Sequence, residues 1–287
     1  MKSATSILPV AALAGARVAV SVSESSDLSR LGVAETHLRI ALGELARSVL
    51  SMGGGLAYGG HFAPSGYTVF LASEIGRTSR RDQPLTVCLS CSEHRRKSLA
   101  DLREVQAALG MHGTLTCLDI AGNPVDPASG RDDEPPPPLD AGEVVRSLTS
   151  MRIYMTSISA ARVLIGGKRQ GYQGRFPGII EEALLALAAG RPLYVAAGFG
   201  GAALDVARVM DSRVDDWIPA WPATLEGSAP PAGIPEFREL LASGASERSP
   251  NGLDEHENCR LMVTHRPSEI AALVATGLGR LLADRKR

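Results

Sequence analysis

The sequence predicts an α/β fold in which a parallel β-sheet carries helices on both faces, followed by a C-terminal helical extension. Short apolar runs alternate with segments of helical periodicity over the first 210 residues. Glycines stand where several of these runs end and the next helix begins. The alternation stops after Met210. Strands that alternate with helices form parallel sheets, because each crossover helix returns the chain to the edge where it started.

The elements follow one another in a regular order. Strands are predicted at residues 17–23, 56–58, 85–91, 114–120, 162–165 and 192–197. The intervening helices are predicted at residues 34–52, 67–77, 99–109, 141–159 and 177–189, and residues 198–201 open one more helix that runs to Met210. Residues 123–139 include four consecutive prolines, which predicts an extended, solvated loop.

The C-terminal part has a different character. Residues 211–233 carry both tryptophans, Trp217 and Trp221, and predict a loop packed over the core. A final helix is predicted from Pro267, with one apolar stripe. The stripe comprises Ile270, Leu273, Val274, Leu278, Leu281 and Leu282. Such a surface favours a homo-oligomer formed through this segment, and the alternative is that the stripe closes over the sheet within one subunit.

Composition excludes several classes of protein. A net charge of −1 gives no basic field for nucleic acid. No apolar stretch is long enough to span a bilayer, and the apolar part of residues 1–15 is too short and proline-broken for a signal peptide. We therefore expect a cytoplasmic protein with reduced thiols. Cys88 and Cys91 have CxxC spacing, but the other two cysteines lack paired spacing, so we expect buried thiols, no metal and no required cofactor.

Polar residues and glycines follow the first two predicted strands. Ser21, Ser23, Glu24 and Ser25 stand at the end of the first strand. The second strand and its loop supply Gly59, Gly60, Gly66 and Tyr67. Parallel strands end at one edge of a sheet, so these groups are expected to converge on a nucleotide. A serine-rich turn without a ligand is the alternative for the first set.

The third such turn is the most informative stretch of the chain. Gly166 and Gly167 end a strand, and the loop after them carries Lys168, Arg169 and Arg175. A helix then starts at Pro177–Gly178, and its first turn contains Glu181 and Glu182. The free N–H groups and positive dipole end of such a helix suit a phosphate, and three cations suit a dianion. The alternatives are ordinary capping acids and a solvated charged loop.

One arginine precedes this turn by a helix. Arg152 shares an otherwise apolar-leaning face with residues such as Met155, so it needs an acidic or phosphate partner. Glu182 is the predicted partner.

Together these stretches resemble the SLOG superfamily of Rossmann-like nucleotide-binding domains. The resemblance lies in Arg152-Ile-Tyr-Met155, Arg162-Val-Leu-Ile-Gly-Gly167 and Pro177-Gly-Ile-Ile-Glu-Glu182, and it covers about Val18 to Met210. The superfamily includes the "lonely guy" phosphoribohydrolases, the DprA-like Smf proteins, and nucleotide-sensing domains of TRPM channels and bacterial defence proteins. The resemblance implies that Arg152 and Glu182 match the catalytic arginine and glutamate of the phosphoribohydrolases.

Departures from the family pattern modify this implication. Ile153 replaces the usual lysine, Ile179 takes the threonine position, and residues 168–176 split the compact glycine motif. A longer cationic loop suits a larger nucleotide than a monophosphate. The C-terminal third resembles bacterial SLOG proteins found with TIR domains, which implies a TIR-domain protein as partner.

The sequence therefore predicts a Rossmann-like, SLOG-like nucleotide-binding domain over residues 16–210 and a C-terminal extension over residues 211–287. The expected ligand is an NAD-derived or ADP-ribose-type signal in bacterial defence. The alternatives are a nucleotide N-glycosidase and a structural subunit with a vestigial pocket.

Overall fold

A computed structural model describes residues 8–63, 66–78, 82–217, 230–245 and 249–285. Its sheet has seven strands in the order β5-β4-β3-β2-β1-β6-β7. The strands are β1 (Arg17–Ser23), β2 (Gly55–Gly59), β3 (Leu85–Leu89), β4 (Gly113–Leu118), β5 (Pro124–Val125), β6 (Ala161–Gly166) and β7 (Leu193–Ala196). All neighbours pair in parallel except β5, which adds a two-residue antiparallel edge to β4.

The helices connect these strands and then continue beyond them. Up to β7 they are α1 (Glu35–Ser51), α2 (Tyr67–Gly76), α3 (Cys91–His94), α4 (Leu99–Leu109), α5 (Ala141–Ser157) and α6 (Gly178–Ala188). After β7 and a 3₁₀ turn come α7 (Gly201–Met210), α8 (Val214–Trp217), α9 (Ile234–Ala242), α10 (Glu255–Val263) and α11 (Pro267–Asp284). The predicted α/β class with a helical C-terminal part is confirmed.

Strand β1 lies at the point where the direction of chain progression across the sheet reverses. The chain first moves outward from β1 to β4 and then returns to place β6 on the other side of β1. Val18 and Ser23 of β1 pair with Ala161 and Gly166 of β6. On open α/β sheets a crevice forms at the carboxyl ends of the strands at such a reversal.

Alternation along the strands supplies apolar side chains to both faces of the sheet. Val18, Val20 and Val22 pack with the buried faces of α1 and α11. Ala19, between them, packs with Met151 and Met155 of α5 on the opposite face. Both faces are therefore covered, as a parallel sheet requires.

Four residues of the C-terminal apolar stripe, Ile270, Leu273, Val274 and Leu278, are buried within the subunit, and Leu281 and Leu282 are partly buried. Val274 and Leu278 of α11 join Leu38 and Leu42 of α1 in one core cluster. This is the alternative in which the stripe closes over the sheet within one subunit. The homo-oligomer stays a prediction, but the stripe of α11 no longer supports it. The predicted boundary at residues 210 and 211 also stays a prediction.

Several predicted bounds are wrong. Residues 90 and 91 leave the predicted strand, because the Ser90 hydroxyl accepts a hydrogen bond from the N–H of Glu93 and caps α3. The helices α8, α9 and α10 were not predicted. They are four, nine and nine residues long and follow the end of the strand–helix alternation, on which the prediction depended. Trp221 lies outside the described residues.

Candidate functional site

A cavity of about 260 Å³ opens at the carboxyl ends of β1, β2, β3 and β6. It is lined by Ser23, Gly59, Gly60, His61, Ser90, Glu93, Leu148, Met151, Arg152, Lys168, Tyr172, Gln173, Gly178 and Glu182. Larger cavities lie elsewhere, among them an apolar one of about 440 Å³ beside α4 and the β5 edge. We take the smaller cavity as the candidate site because it lies at the reversal of the strand order and gathers acidic and basic side chains.

The turn that follows β6 leads the chain into the site. Gly166 and Gly167 have φ values of 66° and 105°, which side chains rarely tolerate. A Cβ on Gly166 would lie 2.6 Å from the carbonyl oxygen of Ser23. The N–H of Gly167 donates to that carbonyl at 2.9 Å, and the N–H of Lys168 donates to the Ser23 hydroxyl at 3.3 Å. The two glycines thus hold the ends of β1 and β6 together and bring Lys168 into the pocket.

The two adjacent acids at the start of α6 have different surroundings. Glu181 is buried and accepts hydrogen bonds from Arg152 and from the hydroxyl of Thr149. Glu182 lines the cavity, with Oε1 3.6 Å from Nε of Arg152. The predicted pair of Arg152 and Glu182 is therefore present, but the closest acidic partner of Arg152 is Glu181.

A second buried arginine, Arg162 of β6, lies beneath Glu182. Its side chain is 1 % exposed, and Nη1 lies 3.3 Å from Oε2 of Glu182. The same Nη1 donates to the Ser21 hydroxyl at 3.0 Å, and Nη2 donates to the Thr156 hydroxyl at 3.0 Å. Burial lowers the pKa of the Arg162 guanidinium, and the charge of Glu182 opposes this shift. Two arginines and two glutamates thus form one ion-pair cluster at the wall of the cavity.

The sequence contained a signal for Arg162 that was not used. An arginine inside a strand with apolar residues on both faces is buried, and a buried guanidinium needs an acid nearby. Two acids follow in the next helix. The glycines of this motif predict a turn, and they give no indication of a role for Arg162 at the beginning of the strand.

The cationic loop divides into residues with different contacts. Arg169 lies within 2.6 Å of both Asp27 and Asp205, and its Nη2 donates to the carbonyl of Gly201 at 3.0 Å. The guanidinium of Arg175 lies over the ring of Phe176, 4.8 Å from its centroid. Of the three cations, only Lys168 lines the cavity. Arg169 instead ties the loop after β6 to the loop after β1 and to α7.

The structure brings seven of the predicted site residues into the cavity lining. These are Ser23, Gly59, Gly60, Arg152, Lys168, Gly178 and Glu182. The other predicted site residues are absent from that lining: Ser21, Glu24, Ser25, Gly66, Tyr67, Gly166, Gly167, Arg169, Arg175 and Glu181. Six of them have structural contacts described above, namely Ser21, Gly166, Gly167, Arg169, Arg175 and Glu181.

Two further members of the predicted set also have contacts in the structure. The Ser25 hydroxyl accepts a hydrogen bond from the N–H of Asp27 at 3.0 Å. Tyr67 lies under the guanidinium of Arg39, and burial raises the pKa of its phenol. Tyr58 shows the same direction of shift, because burial and the charge of Glu182 both raise the pKa of its hydroxyl. The two phenols are therefore neutral near the site at physiological pH.

Sequence reasoning missed six residues that line the cavity from three different segments. Ser90 and Glu93 follow β3, Leu148 and Met151 belong to α5, and Tyr172 and Gln173 come from the loop after β6. The Ser90–Glu93 spacing of an N-capped helix start was visible in the sequence. It was overlooked because Cys91 was assigned to the strand.

The thiols lie away from the cavity lining. Cys88, Cys91 and Cys117 are buried, and burial raises the pKa of Cys88 to about 12. Among the described residues, no group of three or more metal-ligating side chains is present. In the same part of the chain, none of the helices has the length and apolarity needed to cross a membrane.

Comparison with known proteins gives one result. The family model described as SLOG cluster2 matches residues 12–261. No curated protein and no solved structure matches the chain. The matched region includes the whole sheet, the cavity and the helices up to most of α10.

Proposed function

The chain belongs to the SLOG family, and from this premise we propose that its cavity binds a nucleotide of the NAD-derived or ADP-ribose type. The observation that carries the proposal is the distribution of charge along the cavity. Lys168 and the first residue of α6, Gly178, lie at one side, where a helix N-terminus offers N–H groups to an anion. Glu182 and Arg152 lie beside them, within reach of a ribose.

The cavity is large enough for only one part of an NAD-sized ligand. Small-molecule pockets usually measure about 300–1,000 Å³, and this one measures about 260 Å³. It suits one nucleoside monophosphate unit. The remainder of a larger nucleotide would extend along the loop of residues 168–177, from which Tyr172 and Gln173 already face the cavity.

Isothermal titration calorimetry with AMP, ADP-ribose and NAD tests the proposal. We expect binding that weakens as salt is raised, because Lys168 contacts a phosphate. Lys168→Ala should weaken binding by about ten- to a hundredfold and flatten the salt dependence, since a charge-assisted hydrogen bond is worth about 1.5–3 kcal/mol. Lys97→Ala, outside the cavity lining, is the matched control. If none of the three nucleotides binds the wild-type protein, the pocket is vestigial and the chain is a structural subunit.

A second candidate function is hydrolysis of a nucleotide N-glycosidic bond, and the position of Glu182 favours it. The carboxylate lies at the cavity wall between two arginines, 3.3 Å from one and 3.6 Å from the other. There it could stabilise the positive charge that develops on the ribose as the base departs, or accept a proton from the attacking water. The products would be the free base and a ribose phosphate.

Chromatography of the nucleotide after incubation separates the two functions. Release of a base that stops in Glu182→Gln, with nucleotide binding retained, assigns hydrolysis. Binding without release assigns a sensor.

The family resemblance supports a biological setting for that sensor. We place the ligand in bacterial defence signalling, with a TIR-domain protein as partner. Phage challenge of cells carrying wild-type or Lys168→Ala protein tests this. Equal protection by both proteins would mean that defence does not require nucleotide binding in this cavity.

A further inference from the structure

The cavity has a second end, at the carboxyl end of β3. The proposed positions of the phosphate and the ribose leave this end without a ligand group. Ser90 and Glu93 line it there, whereas Gly178 and Lys168 line it beyond β6. Three strand-to-strand steps separate β6 from β3 in the sheet. At about 4.8 Å per step the two ends lie ~14 Å apart, which is the scale of a nucleotide from phosphate to base edge.

The wall between the two ends is apolar. Leu148 and Met151 of α5 line it, and Met151 belongs to the core cluster that anchors α5 on the sheet. A methionine thioether makes favourable contacts with aromatic rings. This wall therefore suits a flat heterocycle, and the polar groups of a sugar phosphate would gain little from it.

The end wall carries a carboxylate. Glu93 is half-buried, and its Oε1 accepts from Nη1 of Arg96 at 3.2 Å. Arg96 has half of its side chain exposed, so this pair is weak and leaves Glu93 able to accept a further hydrogen bond. A carboxylate accepts hydrogen bonds and donates none. The cavity thus offers donors to an anion at one end and an acceptor at the other.

We propose that Glu93 selects a nucleobase bearing an exocyclic amine, with the ring against Met151 and Leu148. The inference rests on the proposed nucleotide binding and adds the orientation and the class of base. An amine on the ring edge donates to the Glu93 carboxylate. A keto group at the same place brings an oxygen against the carboxylate. Since both oxygens only accept hydrogen bonds, neither gains a partner, and a base with a keto group there is rejected.

Two ligands that differ along this ring edge test the assignment. AMP carries the 6-amino group beside an unprotonated N1, and IMP carries a keto oxygen there beside a protonated N1. We expect wild-type protein to bind AMP at least about tenfold more tightly than IMP, as a hydrogen bond to a charged group provides. Glu93→Gln should bring the ratio close to one, because an amide both donates and accepts. Glu104→Gln, the same change on an exposed part of α4, should keep the wild-type ratio.

Ribose 5-phosphate separates this inference from the proposed function. It lacks a base, so Glu93→Gln should leave its affinity unchanged, while Lys168→Ala should weaken it. Equal affinity of wild type for AMP and IMP, with ribose 5-phosphate bound, overturns the base assignment and leaves the nucleotide phosphate site standing. A preference for AMP that persists in Glu93→Gln overturns the role of Glu93. Failure of all three ligands to bind overturns both proposals.

Discussion

At the scale of the residue, the least usual feature is a charged cluster built into the wall of the cavity. Arg162 is wholly buried and contacts Glu182, Ser21 and Thr156. Arg152 is shared between Glu181 and Glu182. Each charge is tolerated only because an opposite charge is beside it, so removal of one member should cost far more than a surface ion pair is worth.

Replacing Arg162 tests this dependence. Arg162→Met should lower the free energy of unfolding by about 3 kcal/mol, because the buried carboxylate and two hydroxyls lose a partner. Urea denaturation measures the change. Arg103→Met, in an exposed pair with Asp133, should change it by less than about 0.5 kcal/mol. The double variant Arg162→Met/Glu182→Met should regain part of the loss, and a strictly additive result would contradict the coupling.

How far the site could be predicted from the sequence also depends on single residues. Gly166, Gly167 and Gly178 are local signals, so the turn and the helix start were predicted correctly. Arg152 is paired with Glu182 in the sequence analysis because an arginine on an apolar-leaning face needs an acidic partner and because both residues match the family motif. The sequence could not say which of two adjacent acids Arg152 approaches most closely. That choice depends on the rotation of α6 about its axis. Tertiary packing fixes this rotation, and the positions of the residues along the sequence do not reveal it.

At the scale of the element, the packing of α11 on α1 is a feature that periodicity predicted only in part. An apolar stripe identifies a helix that must be covered but does not identify the cover. Here the cover is the face of α1 containing Leu38 and Leu42. The partner surface comes from residues more than 200 positions away along the chain, so local sequence could not select it.

Truncation of one residue distinguishes burial within the subunit from burial between subunits. Leu278 is 1 % exposed, and Leu278→Ala should lower the free energy of unfolding by about 3 kcal/mol. Ile40→Ala, at a half-exposed position of α1, should change it by less than about 0.5 kcal/mol. Urea denaturation with light scattering gives both readouts. A folded Leu278→Ala protein of unchanged stability and smaller mass would instead place the stripe at a subunit interface.

The contact between α10 and α11 should make the stability of the fold depend on pH in the acidic range. Nη1 and Nη2 of Arg280 donate to the two carboxylate oxygens of Glu257, at 2.6 and 3.0 Å, and they hold the pKa of that carboxyl below its ordinary value of 4.5. A lowered folded-state pKa stabilises the fold above the unfolded pKa, and this contribution is lost as pH falls through the folded one.

We therefore expect the stability difference between wild type and Glu257→Gln to be largest near pH 7. It should shrink as the pH falls below about 4.5 toward 3. Thermal unfolding across that range measures it, with Glu104→Gln as a control for the same chemical change. If the stability difference stays constant with pH, the ion pair between Glu257 and Arg280 is not its cause.

At the scale of the whole molecule, the C-terminal helices and the sheet share core clusters. Leu261 of α10 and Ile270 of α11 belong to the same cluster as Val18 and Val20 of β1. Phe237 of α9 packs in the cluster that contains Leu164 of β6. Elements that share a core lose their stability together.

Unfolding should accordingly be a single transition. Both tryptophans of the chain, Trp217 and Trp221, lie in the C-terminal part of the sequence, so fluorescence reports on that part and far-ultraviolet circular dichroism reports on the whole. The two urea transitions should coincide. An earlier fluorescence transition would mean that residues 211–287 form a unit of their own, as the predicted division at residue 210 supposes.

The central position of β1 also has a consequence during synthesis. Val18 pairs with Ala161, so the second neighbour of β1 is translated about 140 residues after it. At about 5–20 residues per second, roughly 7–30 s pass before β6 exists. Throughout this interval one edge of an apolar strand offers unpaired N–H and C=O groups to other nascent chains. Slower translation between β4 and β6 would lengthen this exposure, and it would lower the yield of soluble protein while leaving the finished fold as stable as before.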